Sequence, residues 1–322
     1  MPLLPSSSYK RPAMFFSRHL ETVYPVAMRD VSDVVYERER LELADRDFLD
    51  LDWIRKGNPT LLILSHGLEG NTESKYLKGM ARAAVNAGYD VLAWNYRGCS
   101  EEMNRNFRFY HSGESADLDL VVQHVAALKK YNSIGLVGFS IGGNITLKYL
   151  GERSDSISPF IKAAVTFSAP CDLKAGAEHM AKWESKFYMN RFLTNLHLKV
   201  LAKAKQYPDR INDQGFEKLK NFIQFDERYT APIHGFRDAA DYYKQSSSIF
   251  YIPGIKIPTL LVSALNDPFL CEACFPTEQA KNNPYFFLET PAHGGHCGFY
   301  EKNANGNYWS DERALEFLKI YL

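Results

Sequence analysis

Ser140 stands in the pentapeptide Gly138-Phe139-Ser140-Ile141-Gly142, between the apolar run Ile134-Gly135-Leu136-Val137 and the helix-compatible stretch from Gly143 to Leu150. A serine in G-x-S-x-G at a strand-to-helix junction is the pattern of a nucleophile elbow, where a sharp, strained turn lifts the hydroxyl clear of the backbone. Only small neighbours fit such a turn, and Gly138 and Gly142 carry no Cβ. The N-terminus of the following helix favours negative charge developing at the serine. The chemistry implied is attack by an activated serine on an electrophilic carbon.

An activated serine needs a base, and the base needs an acid to orient it. On a strand–turn–helix serine these follow in chain order, acid then histidine. The run Thr259-Leu260-Leu261-Val262 ends in Ser263-Ala264-Leu265-Asn266-Asp267-Pro268, so Asp267 falls just past the carboxyl end of a strand, where the active-site loops of open parallel sheets gather. Asp172 is its rival, but a helix-like stretch follows it and it suits an N-cap. For the base, His296 is bracketed by Gly294, Gly295 and Gly298, which let a loop turn tightly toward Ser140. His293 reads as a loop histidine bonded to backbone. Acyl transfer also creates an oxyanion that needs two preorganised N–H donors. The backbone of Ile141 supplies one, and the loop Ser65-His66-Gly67-Leu68-Glu69-Gly70 supplies the other through Leu68. His66 reads as a loop brace, and Arg97 as a tie between loops through its fixed fork of donors.

These residues need a scaffold that brings chain ends together. Residues 33 to 55 alternate polar and apolar about a turn at Ala44-Asp45-Arg46-Asp47 and predict a β-hairpin. Short apolar strands then alternate with helical stretches: a strand at Thr60–Leu64, a helix over 73–87 ending at Gly88, a strand at Tyr89–Trp94 and a helix over 114–130. Beyond these come the strand before Ser140 and a strand at Ala163–Phe167. This alternation predicts an α/β fold, with a mostly parallel sheet and helices on both faces. It stops after Pro170. Residues 171–250 contain no clear strand and carry Trp183, Phe187, Tyr188, Phe192, Phe222 and Phe225, at helical spacing, which predicts a helical cap inserted into a core formed by 1–170 and 251–322. Helical spacing favours these aromatics as the cap's own core, although a pocket between cap and sheet would also be apolar. Strands resume at 257–262 and 285–288, and residues 309–322 form a closing helix.

The 322 residues suffice for one large domain with an insertion. Lys+Arg and Asp+Glu balance at 38 each, so no net charge draws the chain to nucleic acid or an anionic surface. Without a glycine-rich phosphate loop, nucleotide substrates are disfavoured. Five scattered cysteines argue for a reducing compartment over a disulfide framework. The lone pair Cys271 and Cys274 lacks the further ligands of a zinc site. There is no signal-peptide core and no run of about 18 apolar residues, so a cytoplasmic protein without a transmembrane segment is expected.

Together these segments resemble the α/β-hydrolase superfamily, and within it the YheT-like branch of predicted esterases. The resemblance covers most of the chain. It rests on His19-Leu20-Glu21-Thr22 (Glu where the branch has Gln), His66-Gly67-Leu68-Glu69-Gly70, Arg97-Gly98-Cys99-Ser100, Tyr110-His111-Ser112-Gly113 and Gly138 through Asn144. Further matches are Phe225 through Pro232 with His234-Gly235-Phe236, Asn266-Asp267-Pro268-Phe269, and Gly294 through Phe299. It implies an α/β-hydrolase fold, a triad of Ser140, Asp267 and His296, hydrolysis of carboxylic esters of small-molecule or lipid substrates such as short- to medium-chain acyl esters or acylglycerols, and neither metal nor organic cofactor. Two other functions fit the same residues: an acyltransferase in which an alcohol replaces water, and a non-catalytic binding protein on a hydrolase fold.

Overall fold

The computed structural model describes residues 3, 4, 6–301, 303 and 305–322. A single eight-stranded sheet forms its centre. In chain order the strands are β1 (Glu37–Glu42), β2 (Phe48–Ile54), β3 (Thr60–Ser65), β4 (Asp90–Trp94), β5 (Ser133–Phe139), β6 (Ile161–Phe167), β7 (Thr259–Val262) and β8 (Phe286–Glu289). Their spatial order is β1-β2-β4-β3-β5-β6-β7-β8, with β1 and β2 joined antiparallel and every pair from β4 to β8 parallel. The hairpin expected over 33–55 is β1 and β2. Opposed residues Arg38 and Asp52, and Arg40 and Asp50, form forked ion pairs across it.

The central strands are apolar on both faces because both faces are covered. On β3, Leu61 and Ile63 join one core cluster and Leu62 and Leu64 the other, the period of two that a strand imposes. The first face is covered by α3 (Ser115–Ala127), through Leu118, Val121, Val122 and Val125, and by α4 (Ile141–Arg153). The second is covered by α2 (Lys75–Asn86), through Leu77, Met80, Ala81 and Ala84, and by α11 (Trp309–Leu318).

Register places the site. Ser65 pairs with Gly138, Phe139 with Phe167, Phe167 with Val262, and Val262 with Glu289. The carboxyl ends of β3, β5, β6, β7 and β8 therefore lie in one row, and the loops leaving them share one side of the sheet.

Between β6 and β7 the chain is helical: α5 (Leu173–Met180), α6 (Lys186–Gln206), α7 (Phe222–Phe225), α8 (Ala231–His234) and α9 (Ala239–Ser246), with a π-helical turn over Asp226–Thr230. Met180, Tyr188, Leu193, Val200, Phe216, Phe225 and Tyr229 make a cluster of its own there. The remaining helix of this half, α10 (Thr277–Asn282), follows β7. Not legible in the pattern was α1 (Arg18–Met28), capped by Ser17 and carrying Pro25 inside it. A proline within 11 residues removes a helical N–H and blurs the helical signal. Ahead of α1, the Leu4 N–H donates to the Leu288 carbonyl on β8.

Candidate active site

Ser140 occupies a backbone conformation that side chains rarely adopt, with φ 54° and ψ −122°. Strain of this kind, observed at a sharp turn, is a mark of a functional position. It is held by the Ser140 N–H donating to the Phe167 carbonyl at 2.8 Å and by the Asn144 N–H returning to the Ser140 carbonyl at 3.1 Å. Both flanking glycines are sterically required. A Cβ on Gly138 would lie 2.5 Å from the Gly142 carbonyl, and one on Gly142 would lie 2.5 Å from the carbonyls of Ser65 and His66.

The other loops converge on this hydroxyl. His296 Nε2 lies 3.0 Å from Ser140 Oγ, and its Nδ1 lies 2.8 Å from Asp267 Oδ2. Asp267 is buried, and its other oxygen accepts the Phe269 N–H at 2.8 Å. A carboxylate only accepts, so Nδ1 carries the proton and Nε2 is free to take one from the serine. Burial works against the imidazolium form of His296, but the neighbouring Asp267 charge outweighs it and raises the pKa above the ordinary histidine value.

The base loop is braced by residues that sequence reasoning noted only as part of the resemblance. Glu21 on α1, 1% exposed, accepts the Gly294 N–H at 2.6 Å and the Asn266 amide at 3.1 Å. The hydroxyl of Thr22 accepts the His296 N–H at 3.0 Å, and Asn266 accepts the Gly295 N–H at 3.1 Å. Gly295 has φ +59°, and a Cβ there would press on Thr22. His293 faces this brace, near Asn266 and Glu21.

On the opposite side, the loop after β3 has its N–H groups assigned in turn. Gly67 donates to Tyr76 Oη at 2.8 Å, and Glu69 donates to Tyr110 Oη at 2.9 Å. Leu68, between them, has no backbone acceptor for its N–H among the described residues, and both Leu68 and Ile141 line the cavity beside Ser140. Glu69, at φ 51°, is fixed from the helical segment between β6 and β7: Lys199 on α6, 5% exposed, lies 3.1 Å from its carboxylate and 3.1 Å from Cys99 Sγ. Tyr110 Oη also donates to the Glu69 carboxylate at 2.7 Å. A buried lysine on a helix looks like any polar-face lysine in sequence, which is why this clamp was missed.

The remaining candidates have structural duties. His66 is buried, accepts the Tyr96 N–H at Nε2 and sits beside the Gly67 carbonyl at Nδ1, with burial lowering its pKa to about 3. Asp172 caps α5 by accepting the Ala175 N–H at 2.9 Å. Arg97 ties Asp117 on α3 to Asp45 and Asp47 in the hairpin turn. Cys271 and Cys274 are unbonded, with sulfurs 3.9 Å apart on a short 3₁₀ turn, and Cys274 donates toward the Asp172 carbonyl.

One histidine and carboxylate group, His111, Glu114 and His234, brings its ligand atoms within 4.8 Å of one another. The Gly113 N–H donates to His111 Nδ1 at 3.1 Å, so the proton of this ring sits on Nε2, 3.4 Å from Glu114, whose carboxylate also meets Arg108 at 3.2 Å. These are the bonds of a closed polar cluster; a cation would have to displace both.

Ser140 and His296 open onto a cleft of about 870 Å³ including its mouth, walled by apolar groups such as Leu68, Phe109, Met180, Phe192, Phe222 and Phe225. The cap aromatics therefore divide. Phe192, Phe222 and Phe225 line the cleft, whereas Trp183 and Phe187 stand 83% and 72% exposed on the outer surface. The Phe269 ring packs tilted against the His296 ring, centroids 4.2 Å apart, and joins it to Phe192 and Tyr188 of α6.

Residues 60–303 match the model of the alpha/beta hydrolase fold family. The chain belongs to that family. It is 33% identical over 317 residues, 96% of this chain and 92% of the relative, to YheT of Escherichia coli (strain K12), a protein provisionally named an esterase. It is 32% identical to a monoacylglycerol lipase of Saccharomyces cerevisiae, over 81% of this chain and 59% of that longer protein. It is also 32% identical to the phospholipase ABHD3 of Mus musculus, over 83% of this chain and 67% of that one. Among solved structures, the Pyrococcus furiosus esterase Pf2001 shares the fold with a TM-score of 0.61 at 19% identity, over 91% of this chain and 94% of that one. Among the described residues no helix is long and apolar enough to cross a membrane.

Proposed function

We propose that this protein is a serine hydrolase of carboxylic esters, acting on acyl esters or acylglycerol-like lipids through an acyl-enzyme. The observation that carries the reading is the unbroken chain from Ser140 Oγ through His296 to Asp267, at 3.0 and 2.8 Å, opening on an apolar cleft. The relatives named esterase, monoacylglycerol lipase and phospholipase agree with it in substrate class.

In this reading His296 Nε2 takes the Ser140 proton as Oγ attacks the ester carbonyl, while Asp267 holds the ring in the required tautomer and stabilises the imidazolium. The N–H groups of Leu68 and Ile141 receive the oxyanion. His296 then protonates the leaving alcohol, takes a proton from water, and the acyl-enzyme is cleaved. Residues 171–250 act as the cap, whose aromatic wall accepts the apolar part of the substrate. Nothing in this cycle requires a metal or organic cofactor.

Hydrolysis of p-nitrophenyl esters from acetate to palmitate, with Ser140→Ala beside the wild type, tests the reading. Activity lost in the variant is the expected result, with the chain-length optimum reporting the depth of the cleft. A folded wild type that neither turns over any ester nor reacts with a fluorophosphonate would overturn it in favour of a binding protein.

A further inference from the structure

One carboxyl group in the cleft has no part in the cycle above. Asp226 lines the same cavity as Ser140 and His296, from the cap side. It opens the π-helical turn Asp226–Thr230, in which the Ala231 N–H reaches back to the Asp226 carbonyl. Pro232, at the start of α8, has no N–H to return to the preceding turn. Single π turns of this kind occur frequently at functional sites.

The surroundings of Asp226 are those of a group awaiting a ligand. Thr230 Oγ1 donates to Oδ1 at 2.6 Å, and Tyr243 Oη on α9 donates to Oδ2 at 2.6 Å. Both donors are neutral, and among the described residues Asp226 forms no ion pair. A carboxylate offers about four lone-pair positions, so each oxygen keeps one open. The walls around it, Phe222, Phe225 and Tyr242, are aromatic. Burial drives its pKa up to about 6, against the two hydroxyl bonds that pull it down. An anion enclosed without counter-charge is costly unless further donors reach it.

We propose that Asp226 forms a substrate subsite for hydroxyl groups, so that the cleft prefers esters carrying a free polyol, each of two adjacent hydroxyls donating to one carboxylate oxygen. This deepens the proposed ester hydrolysis and rests on that reading for its catalytic consequence. The pairing of one acceptor position on each oxygen fits a vicinal diol better than a single bulky cation. The neighbouring hydroxyl donors already bind the carboxylate in that manner.

The test compares kcat/KM for 1-monooctanoylglycerol and methyl octanoate in the wild type, Asp226→Asn and Tyr243→Phe. Asp226→Asn should lower the glycerol-to-methyl ratio roughly 10- to 100-fold, the scale of a lost hydrogen bond to a charged group. It should do so through KM more than kcat. Tyr243→Phe, which removes one structural bond and keeps the carboxylate, should leave the ratio near wild type. Equal loss on both esters, or the same ratio change in both variants, would reduce Asp226 to a brace and overturn the proposal. A selective loss on octanoylcholine in place of the glycerol ester would overturn the hydroxyl assignment in favour of a cation.

Two readouts stand apart from the variants and from turnover. In the wild type the ratio should rise as pH passes upward through about 6, where Asp226 ionises. Tyr242 and Tyr243 are raised by burial and His111 is lowered by it to about 3, so these neighbours stay neutral in that window. His296 acts on both esters alike and cancels in the ratio. A ratio that stays flat with pH counts against the subsite. Calorimetric binding of 1-O-octylglycerol, which has no ester bond, reads the site even if hydrolysis fails. Weakening of about tenfold in Asp226→Asn supports the subsite, and unchanged binding removes it.

Discussion

Two loops complete the surroundings of Ser140, and different parts of the molecule hold them. The base loop, Gly294 to Gly298, is pinned by α1 through Glu21 and Thr22, whose carboxylate and hydroxyl receive backbone N–H groups on either side of His296. The loop after β3, which presents Leu68, is pinned by Tyr76 and Tyr110 of the core and by Lys199 of the cap. The difference assigns separate sensitivities. In the proposed cycle, proton transfer would rest on an element of the hydrolase core, whereas oxyanion binding would rest on the seating of the proposed cap. Displacing the cap would loosen the second first; the base loop would keep its α1 brace and lose only the contacts that Phe269 carries to Tyr188 and Phe192.

The largest loss is expected at the centre that both loops serve. Asp267→Asn offers His296 an amide in place of a carboxylate, disturbs the tautomer and removes the charge that favours the imidazolium. On the Ser–His–Asp template such a change lowers kcat by about 10⁴-fold. It should also move the pH profile. With Asp267 present the pKa of His296 is raised, so the imidazolium form blocks the base at low pH and kcat/KM climbs to an inflection above the usual histidine value. In Asp267→Asn the residual activity should show that inflection at lower pH. A profile that does not move would detach Asp267 from the base.

On the core side, Glu21→Ala strips the Gly294 N–H and the Asn266 amide of a buried acceptor. The cost is about 1–3 kcal/mol for the groups left unpaired, read as a lower urea midpoint. A fall in kcat of roughly 10- to 100-fold accompanies it as His296 loses its placement. Octanoate KM should change little, because Glu21 does not reach the cleft wall.

On the cap side, Lys199→Met leaves the Glu69 carboxylate buried without its cation and frees the segment around Leu68. One weakened oxyanion donor corresponds to a fall in kcat of about 10-fold or more. The pH inflection assigned to His296 should stay in place, which separates this variant from any lesion of the base loop. Adding Glu69→Gln should recover stability, since removing both charges of a buried pair is far milder than removing one.

Legibility followed the same division. Ser140, Asp267 and His296 stood out because they occupy a short motif, a strand end and a glycine-rich loop, all local signals. The parallel order of β3 to β8 was legible from alternation of strand and helix. Glu21 lies 245 residues from Asn266 in the chain and 273 from Gly294, and no periodicity links them. Lys199 carries no local mark either, and Asp226 entered only as one residue of a matched segment. Lys199 meets Glu69 and Cys99 only where α6 packs on loops of the core, and Asp226 reaches the cleft only through the fold of the π turn against α9, both matters of tertiary packing. The aromatics of 171–250 were read by spacing alone, which cannot tell the cleft wall of Phe192 from the outer face of Phe187, because one helix, α6, presents both.

The smallest effect expected is at Asp172, the acid that competes with Asp267 on sequence grounds. Its side chain accepts the Ala175 N–H at the start of α5, a helix whose Leu173, Gly176, Ala177 and Met180 all face the cleft. Asp172→Ala removes an N-cap and should cost about 1 kcal/mol of stability, seen as a small fall in the urea midpoint. The pH inflection of kcat/KM should not shift, since Asp172 accepts from backbone and not from His296. Long-chain esters should lose more in KM than acetate, because fraying of the first turn of α5 moves wall residues and not the reacting groups. A kcat loss on acetate as large as that of Asp267→Asn would reverse the proposed assignment of the two acids, and with it the proposed division between a core that moves protons and a cap that shapes the cleft.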